Sequence, residues 1–122
     1  MAKILIVDDQ SSIRELLSHI LRKVSTTVIT SHSLEDARTA ISNHAFDLVI
    51  SDLRLNRAKG MEGFELLSYV REVSPQTKVI IMSGFGTEAV KNEAYELGAM
   101  CFLEKPINIS HLYSKVQSLN SQ

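Results

Sequence analysis

Four polar segments follow apolar runs of the sequence, and their side chains are the ones equipped for chemistry. They are Asp8-Asp9, Asp52, Ser83-Gly84 and Lys105-Pro106. In an open α/β sheet, ligands bind beyond the carboxyl ends of the strands, where the strand order reverses. If the apolar runs are parallel strands, three carboxylates, a hydroxyl and an ammonium group share one edge of a sheet.

The acidic residues predict a magnesium site. A single aspartate before a helix is more often a cap than a ligand, but Asp8 and Asp9 beside Asp52 would repel one another. A hard divalent cation relieves that repulsion, and Mg²⁺ is usually held by one or two carboxylates together with phosphate and water. Asp52 is also a candidate nucleophile, because carboxylates form aspartyl-phosphate intermediates.

The other two polar side chains suit a phosphoryl group. Lys105 is a compact cation facing the carboxylate edge, which suits a phosphoryl group or the carboxylate that accepts one. Ser83, beside the small Gly84, is able to donate a hydrogen bond to a phosphoryl oxygen. The Lys105–Pro106 bond is a candidate cis peptide, although most X–Pro bonds in folded proteins are trans.

Five apolar runs predict the strands that position these residues. The runs at 4–7, 48–50 and 79–82 lack polar alternation, which is typical of strands buried on both faces of a parallel sheet. The runs at 27–30 and 100–103 are more mixed and indicate outer strands.

Amphipathic patterns predict a helix after each run. The first helix carries an apolar stripe roughly 140° wide. The residues of that stripe are Ile13, Leu16, Leu17, Ile20, Leu21 and Val24. Ser12 with Glu15 predicts a capping box for this helix. On its polar side we expect Arg14, Arg22 and Lys23, in contact with solvent.

The remaining helices have recognisable starts or ends. Ser33 with Asp36 predicts the start of the second helix, and the third is expected over 63–73. The fourth is expected over 87–97, with Gly98 as its left-handed cap. The fifth helix is predicted from its apolar positions, Ile109, Leu112, Val116 and Leu119.

The order of elements predicts a doubly wound α/β fold. Five β-α units imply a five-stranded parallel sheet with right-handed crossovers and helices on both faces. No Pro- or Gly-rich linker interrupts the chain, so we expect residues 1–122 to form one domain.

Composition excludes several classes of protein. With 13 Lys and Arg against 14 Asp and Glu, the net charge of −1 argues against a direct nucleic-acid or membrane-surface binder. The single cysteine forms no internal disulfide, and the first apolar run is too short for a signal peptide or membrane span. We therefore expect a cytoplasmic protein.

The sequence resembles the receiver domain of two-component response regulators from Lys3 to about Leu119. The motifs that carry the resemblance are ILIVDD at 4–9, DLVISD at 47–52, IIMSG at 80–84, LGA at 97–99 and FLEKP at 102–106. The resemblance implies a flavodoxin-like fold with strand order 2-1-3-4-5. That order places the two mixed runs at the edges of the sheet.

The resemblance also implies a role for each site residue. Asp52 would be the phosphoacceptor, with Ser83 and Lys105 as the other catalytic residues. The Mg²⁺ ligands would be Asp8, Asp9, Asp52 and the backbone carbonyl of Arg54. Ser83 and Phe102 would form the switch, and the bond before Pro106 would be cis.

Partners follow from the same resemblance. A sensor histidine kinase or a histidine phosphotransfer protein would supply the phosphoryl group from a phosphohistidine. The surface around helix 4, strand 5 and helix 5 would then switch and engage a downstream effector or an attached output domain absent from this chain. The protein would be a signalling receiver rather than a dedicated metabolic enzyme.

The segment after Asp52 departs from the family pattern. Residues 53–63 contain no proline and are about three residues longer than the common loop. The insertion adds Arg57 and Lys59 near the rim of the predicted site. Arg54 and Phe85 lie where the family tunes dephosphorylation.

Three other functions compete with this interpretation. A Mg²⁺-dependent phosphohydrolase with an aspartyl nucleophile usually carries Asp-x-Asp after its first strand, whereas here the two acids are adjacent. A dinucleotide or flavin binder would need the G-x-G-x-x-G pattern, which does not follow the first run. A receiver that binds proteins without phosphorylation is the third, although no expected site residue is missing.

Overall fold

Five strands alternate with five helices along the chain. The computed structural model describes residues 2–55, 60–84 and 86–120, with the side chains of residues 25, 26 and 120 excepted. The elements are β1 (Ala2–Val7), α1 (Ser11–Leu21), β2 (Ser25–Ser31), α2 (Leu34–Asn43), β3 (Leu48–Asp52), α3 (Glu62–Val73), β4 (Lys78–Ser83), α4 (Glu88–Glu96), β5 (Cys101–Glu104) and α5 (Ile109–Asn120).

All five strands form one parallel sheet in the order β2-β1-β3-β4-β5. The predicted fold class is therefore confirmed. Val7 at the end of β1 pairs with Ser51 of β3, and Ser83 at the end of β4 pairs with Glu104 of β5. The order reverses between β1 and β3, so the ends of these two strands flank the crevice in which such folds bind ligands.

The apolar runs form strands because both faces of the sheet are covered. In β1, Leu5 and Val7 pack into one core with residues of α2, α3 and α4. The alternate residues Ile4 and Ile6 pack into a second core with residues of α1 and α5. Successive side chains of a strand point to opposite faces, so a strand between two helical layers needs apolar residues at every position.

Several predicted helix boundaries are confirmed. The Ser33 hydroxyl accepts the Asp36 backbone N–H at 3.1 Å at the start of α2. Thr87 caps α4 in the same way, and Gly98 beyond that helix has a left-handed φ of 101°. None of the helices in the described part of the chain combines the length and apolar character that a bilayer span requires.

Two predictions for α1 are wrong. The helix begins at Ser11 with Gln10 as its N-cap residue and no side-chain cap, so Ser12 does not form a capping box. Leu16, expected in the apolar stripe, is 50% exposed, whereas the polar Ser18 is 6% exposed. The buried face is centred on Leu17 and Ser18, and Leu16 lies about 100° round the helix from Leu17.

A glycine in the first turn of α3 allows this helix to pack against the end of β3. A Cβ added at Gly63 would lie 2.6 Å from the backbone oxygen of Asp52 and 2.7 Å from the Cα of Leu53. The Gly63 N–H also donates to the Leu53 carbonyl at 2.8 Å. Because the obstructing atoms belong to the backbone, they cannot move aside as a flexible side chain would.

We therefore expect Gly63→Ala to lower the free energy of unfolding by roughly 1–3 kcal/mol, the usual cost of overpacking. Helix propensity alone predicts the opposite sign, because alanine is the better helix former. Urea denaturation measures the difference. Gly84→Ala is the control, since no atom of the described residues beyond its chain neighbours lies within 4 Å of an added Cβ. A Gly63→Ala variant as stable as the wild type would refute the steric argument.

Candidate functional site

A cavity of about 420 Å³ opens at the carboxyl edge of the sheet. Its lining residues are Asp9, Gln10, Asp52, Arg54, Ser83, Gly84 and Lys105. The polar segments at the carboxyl ends of β1, β3, β4 and β5 therefore meet at one place, as their positions after apolar runs predicted.

Backbone hydrogen bonds continue past the strand ends and hold these segments in place. The N–H groups of Asp8, Leu53 and Lys105 donate to the carbonyls of Ser31, Met82 and Ser83 at 3.1, 2.8 and 2.8 Å. The site residues thus stand on the sheet rather than on free loops. Such backbone support limits the movement of the side chains that line the cavity.

Three carboxylates form the acidic part of the site. Oxygens of Asp8, Asp9 and Asp52 all lie within 4.8 Å of one another. Asp8 is fully buried and Asp52 nearly so, whereas Asp9 is exposed to the cavity. Clustered carboxylate oxygens are the hard ligands that Mg²⁺ prefers, so the chemistry of this donor set fits a magnesium ion.

Lys105 joins two of these carboxylates. Its Nζ lies 3.1 Å from Asp8 Oδ2 and 3.1 Å from Asp52 Oδ2. The peptide bond between Lys105 and Pro106 is cis, as the resemblance implied. One ammonium group therefore contacts two of the three clustered carboxylates.

Burial and neighbouring charges shift the pKa values of Asp52 and Lys105. Burial raises the pKa of Asp52 above its ordinary value, and the nearby charge of Asp8 raises it further, against the lowering by Lys105 and the Arg54 backbone N–H. Burial alone would lower the pKa of Lys105, but attraction to Asp52 and Asp8 outweighs it and the pKa is raised. Lys105 therefore stays protonated, while the buried carboxylate is disfavoured as an anion.

The remaining predicted residues take different positions around the cavity. Ser83 is buried at the end of β4 and lines the cavity. Arg54 is exposed at its rim, and its backbone N–H bonds to the Asp52 carboxylate. Phe102 is buried in β5 and does not line the cavity. Three residues of the predicted loop and its surroundings, Arg57, Lys59 and Phe85, lie outside the described part of the chain.

Sequence reasoning missed two residues. Arg14, expected in solvent, donates from Nη1 to the backbone oxygen of Asp8 at 2.7 Å. Gln10 lines the cavity, and its backbone N–H donates to Asp8 Oδ1 at 2.9 Å. The position of Gln10 directly after the acidic pair was a usable signal. Arg14 gave none, because a cation on the polar face of a helix is ordinarily solvated.

The comparisons with known proteins agree on one family. Residues 4–117 match the model of the response regulator receiver domain. The response regulator protein PilR of Pseudomonas aeruginosa is 33% identical over 110 residues, which are 90% of this chain and 24% of PilR. Sporulation initiation phosphotransferase F of Bacillus subtilis is 32% identical over 115 residues, covering 94% of this chain and 90% of that protein.

Solved structures agree with this result. Chemotaxis response regulator CheY4 of Vibrio cholerae superposes with a TM-score of 0.83 at 32% identity, over 98% of both chains. The BeF3-activated DrrB receiver domain gives a TM-score of 0.88 at 27% identity, over 100% of this chain and 99% of the other. Most of the curated relatives are longer, and this chain spans about a quarter of their length, as for PilR at 24% and GlrR of Escherichia coli at 27%.

The lysine bridge generates a stability prediction. Lys105→Met would leave Asp8 and Asp52 buried without their shared cation. With divalent cations chelated, we expect the free energy of unfolding to fall by roughly 3 kcal/mol near pH 7, the lower end of the cost of removing one partner of a buried ion pair. The loss should shrink towards about pH 5, because the pKa of Asp52 is raised in the folded state. Protonation of Asp52 removes the unpaired buried charge and so stabilises the folded variant.

Urea denaturation at the two pH values measures this effect. Lys78→Met, at an exposed lysine, is the matched control and should change stability little at either pH. A loss for Lys105→Met that stays constant or grows on acidification would contradict the electrostatic explanation.

Proposed function

This chain belongs to the response regulator receiver domain family of two-component signalling systems, and from that premise we propose that it accepts a phosphoryl group on Asp52. The donor is the phosphohistidine of a sensor histidine kinase or a histidine phosphotransfer protein. The observation that carries the proposal is the contact of the Asp52 carboxylate with Lys105 inside an acidic cavity. The protein acts as a signalling receiver and not as a dedicated metabolic enzyme.

In the proposed transfer, a carboxylate oxygen of Asp52 attacks the phosphorus of the partner's phosphohistidine. An O–P bond forms while the P–N bond breaks, and the departing nitrogen keeps the electron pair of that bond. The histidine leaves as neutral imidazole when its other ring nitrogen carries a proton. Such a step requires alignment and charge stabilisation more than covalent machinery.

The Lys105 ammonium supplies part of that charge stabilisation, and the acidic residues contribute by binding a cation. The Lys105 ammonium, already 3.1 Å from an Asp52 oxygen, pairs with an oxygen of the phosphoryl group. Asp8, Asp9 and Asp52 would hold Mg²⁺, and the family resemblance would add the Arg54 carbonyl as a further ligand. When bound, Mg²⁺ neutralises negative charge on the transferred oxygens.

The acyl phosphate then changes the surface through Ser83 and Phe102. Ser83 lies buried at the end of β4, and Phe102 pairs in register with Ile81, two residues before Ser83. The Ser83 hydroxyl moves towards the phosphoryl group, and the Phe102 ring turns into the space that Ser83 leaves. This shifts an existing equilibrium of the surface formed by α4, β5 and α5.

The proposed receiver works through partners. Residues 1–122 form one receiver unit that acts in the cytoplasm. Its output comes from a downstream effector protein or from a covalently attached output domain, as befits a chain that spans 24% of PilR. It makes no direct contact with nucleic acid or membrane, in keeping with the near-neutral charge of the chain.

Phosphorylation of Asp52 is tested by incubation with a radiolabelled small-molecule phosphoramidate and Mg²⁺. We expect one hydroxylamine-labile label per chain, because an acyl phosphate reacts with hydroxylamine whereas a phosphoester does not. Asp52→Asn should abolish the label. Asp36→Asn, at an exposed aspartate of α2, is the control and should leave it unchanged.

Other outcomes point to the rival functions. A label that persists in Asp52→Asn would overturn the assignment of the phosphoacceptor. Repeated turnover of a phosphate ester with Mg²⁺ would favour a phosphohydrolase. Absence of any label from the wild type would favour a receiver that binds proteins without phosphorylation.

The switch generates a separate prediction. Ser83→Ala should still be labelled on Asp52, but the amide shift changes that accompany labelling should no longer reach Phe102 and α4. Ser83→Thr, which keeps the hydroxyl, should restore them. Two-dimensional ¹H–¹⁵N NMR of the labelled proteins measures both results, and unchanged propagation in Ser83→Ala would refute the role of the hydroxyl.

A further inference from the structure

A second groove, of about 460 Å³, shares no lining residue with the Asp52 cavity. It is lined by residues of α3, the end of α4 and Arg38 of α2, and we call it the α3–α4 groove. Its apolar lining comes from Phe64, Tyr69 and Leu97, which belong to or pack against the core between the sheet and these helices. The groove is therefore an open extension of that core to the surface.

Three exposed glutamates line the same groove. They are Glu65 and Glu72 of α3 and Glu93 of α4. Within residues 2–55, 60–84 and 86–120, none of these carboxylates has an ion pair or hydrogen-bond partner. Unpaired carboxylates beside apolar side chains form a surface that a cation attached to an apolar group would complement.

The cations of these helices do not neutralise the glutamates. Together α3 and α4 carry six glutamates and only two basic residues, Arg71 and Lys91. Arg71 donates to the Pro75 carbonyl at 2.7 Å, and Lys91 lies 3.7 Å from Glu104 of β5. A local acidic surface thus exists on a chain whose net charge is only −1.

Arg38, the one cation among the described residues that line the groove, is held by its own aromatic partner. Its guanidinium lies 5.5 Å from the centre of the Tyr69 ring. The Tyr69 hydroxyl is in turn hydrogen-bonded to the Ser42 hydroxyl at 2.9 Å. These contacts between α2 and α3 hold the Tyr69 ring in place, so a docking segment meets an ordered side chain and not a mobile one.

We propose that the α3–α4 groove docks a basic amphipathic helix of a partner protein. Apolar side chains of that helix pack on the partly exposed Tyr69 and Leu97, above the buried Phe64, and its lysines or arginines pair with the glutamates. Glu65 and Glu72 are seven residues apart, which is about 10.5 Å along a helix axis. Cations seven residues apart on the docked helix match that spacing, in the helix-in-groove mode of recognition.

A short fluorescein-labelled peptide tests the proposal. The probe contains only leucine and lysine in a heptad pattern, and a second peptide carries glutamate in place of every lysine. Fluorescence anisotropy measures the affinity of each peptide for the complete chain. We expect binding of the lysine peptide that weakens with added salt, and no binding of the glutamate peptide.

Two triple variants, each of which removes three negative charges, distinguish binding in the groove from nonspecific electrostatic attraction to the chain. Glu65→Gln/Glu72→Gln/Glu93→Gln removes the groove carboxylates. Glu35→Gln/Glu88→Gln/Glu96→Gln, the control, removes three exposed carboxylates of α2 and α4 that do not line it. We expect the groove triple to weaken binding about tenfold or more and the control less than about threefold.

Each alternative outcome overturns the proposal. Equal weakening by the two triples would show nonspecific attraction to the acidic helices, and no weakening by the groove triple would place the peptide elsewhere. A wild-type chain that ignores the lysine peptide would exclude a basic partner helix. A dimer in sedimentation velocity that the groove triple abolishes would make a second copy of this chain the occupant. Unchanged melting curves and unchanged Asp52 labelling establish that both triples are folded.

Discussion

Two buried carboxylates, Asp8 and Asp52, share the ammonium group of Lys105, and that contact requires four of the five strands in their observed order. Lys105 lies 97 residues from Asp8 and 53 residues from Asp52 along the chain. Asp8 directly follows β1, Asp52 is the last residue of β3, and Lys105 directly follows β5. Because β4 separates β3 from β5, Lys105 starts two strand spacings, roughly 9.6 Å, from the strand that carries Asp52. Only a long, flexible side chain crosses that distance, so a lysine in this place depends on the strand order.

The same cluster is a poor arrangement for stability alone. One ammonium group contacts two of three clustered carboxylates, and burial raises the pKa of Asp52, so the fold disfavours the anion that the proposed phosphoryl transfer needs. A cation that binds only the folded state recovers that free energy through mass action. The carboxylates stay close together despite their mutual repulsion, because the backbone hydrogen bonds beyond the strand ends and the Arg14 contact with the Asp8 carbonyl hold them in place.

How much the sequence predicts depends on the range of the contacts involved. The strands were predictable because burial on both faces demands apolar residues at every position, and the caps at Ser33 and Thr87 are local. The gathering of the site residues followed from the parallel topology. The rotation of α1 did not, and two contacts with the site accompany it: the Gln10 backbone N–H donates to the Asp8 carboxylate, and Arg14 donates to the Asp8 carbonyl. Those contacts carry no sequence periodicity, and the capping box and the position of Leu16 were therefore wrong.

The helix α4 contacts β5 on one side and lines the α3–α4 groove on the other. On one side the Tyr95 hydroxyl accepts the backbone N–H of Phe102 at 3.2 Å, and Lys91 faces Glu104, so this side follows β5. On the other side Glu93 and, just past the helix, Leu97 line the α3–α4 groove. A short helix moves as a unit, because its internal hydrogen bonds resist bending. If the proposed switch displaced β5 and carried Tyr95 with it, α4 would move Glu93 as well, with no residue shared between the groove and the Asp52 cavity.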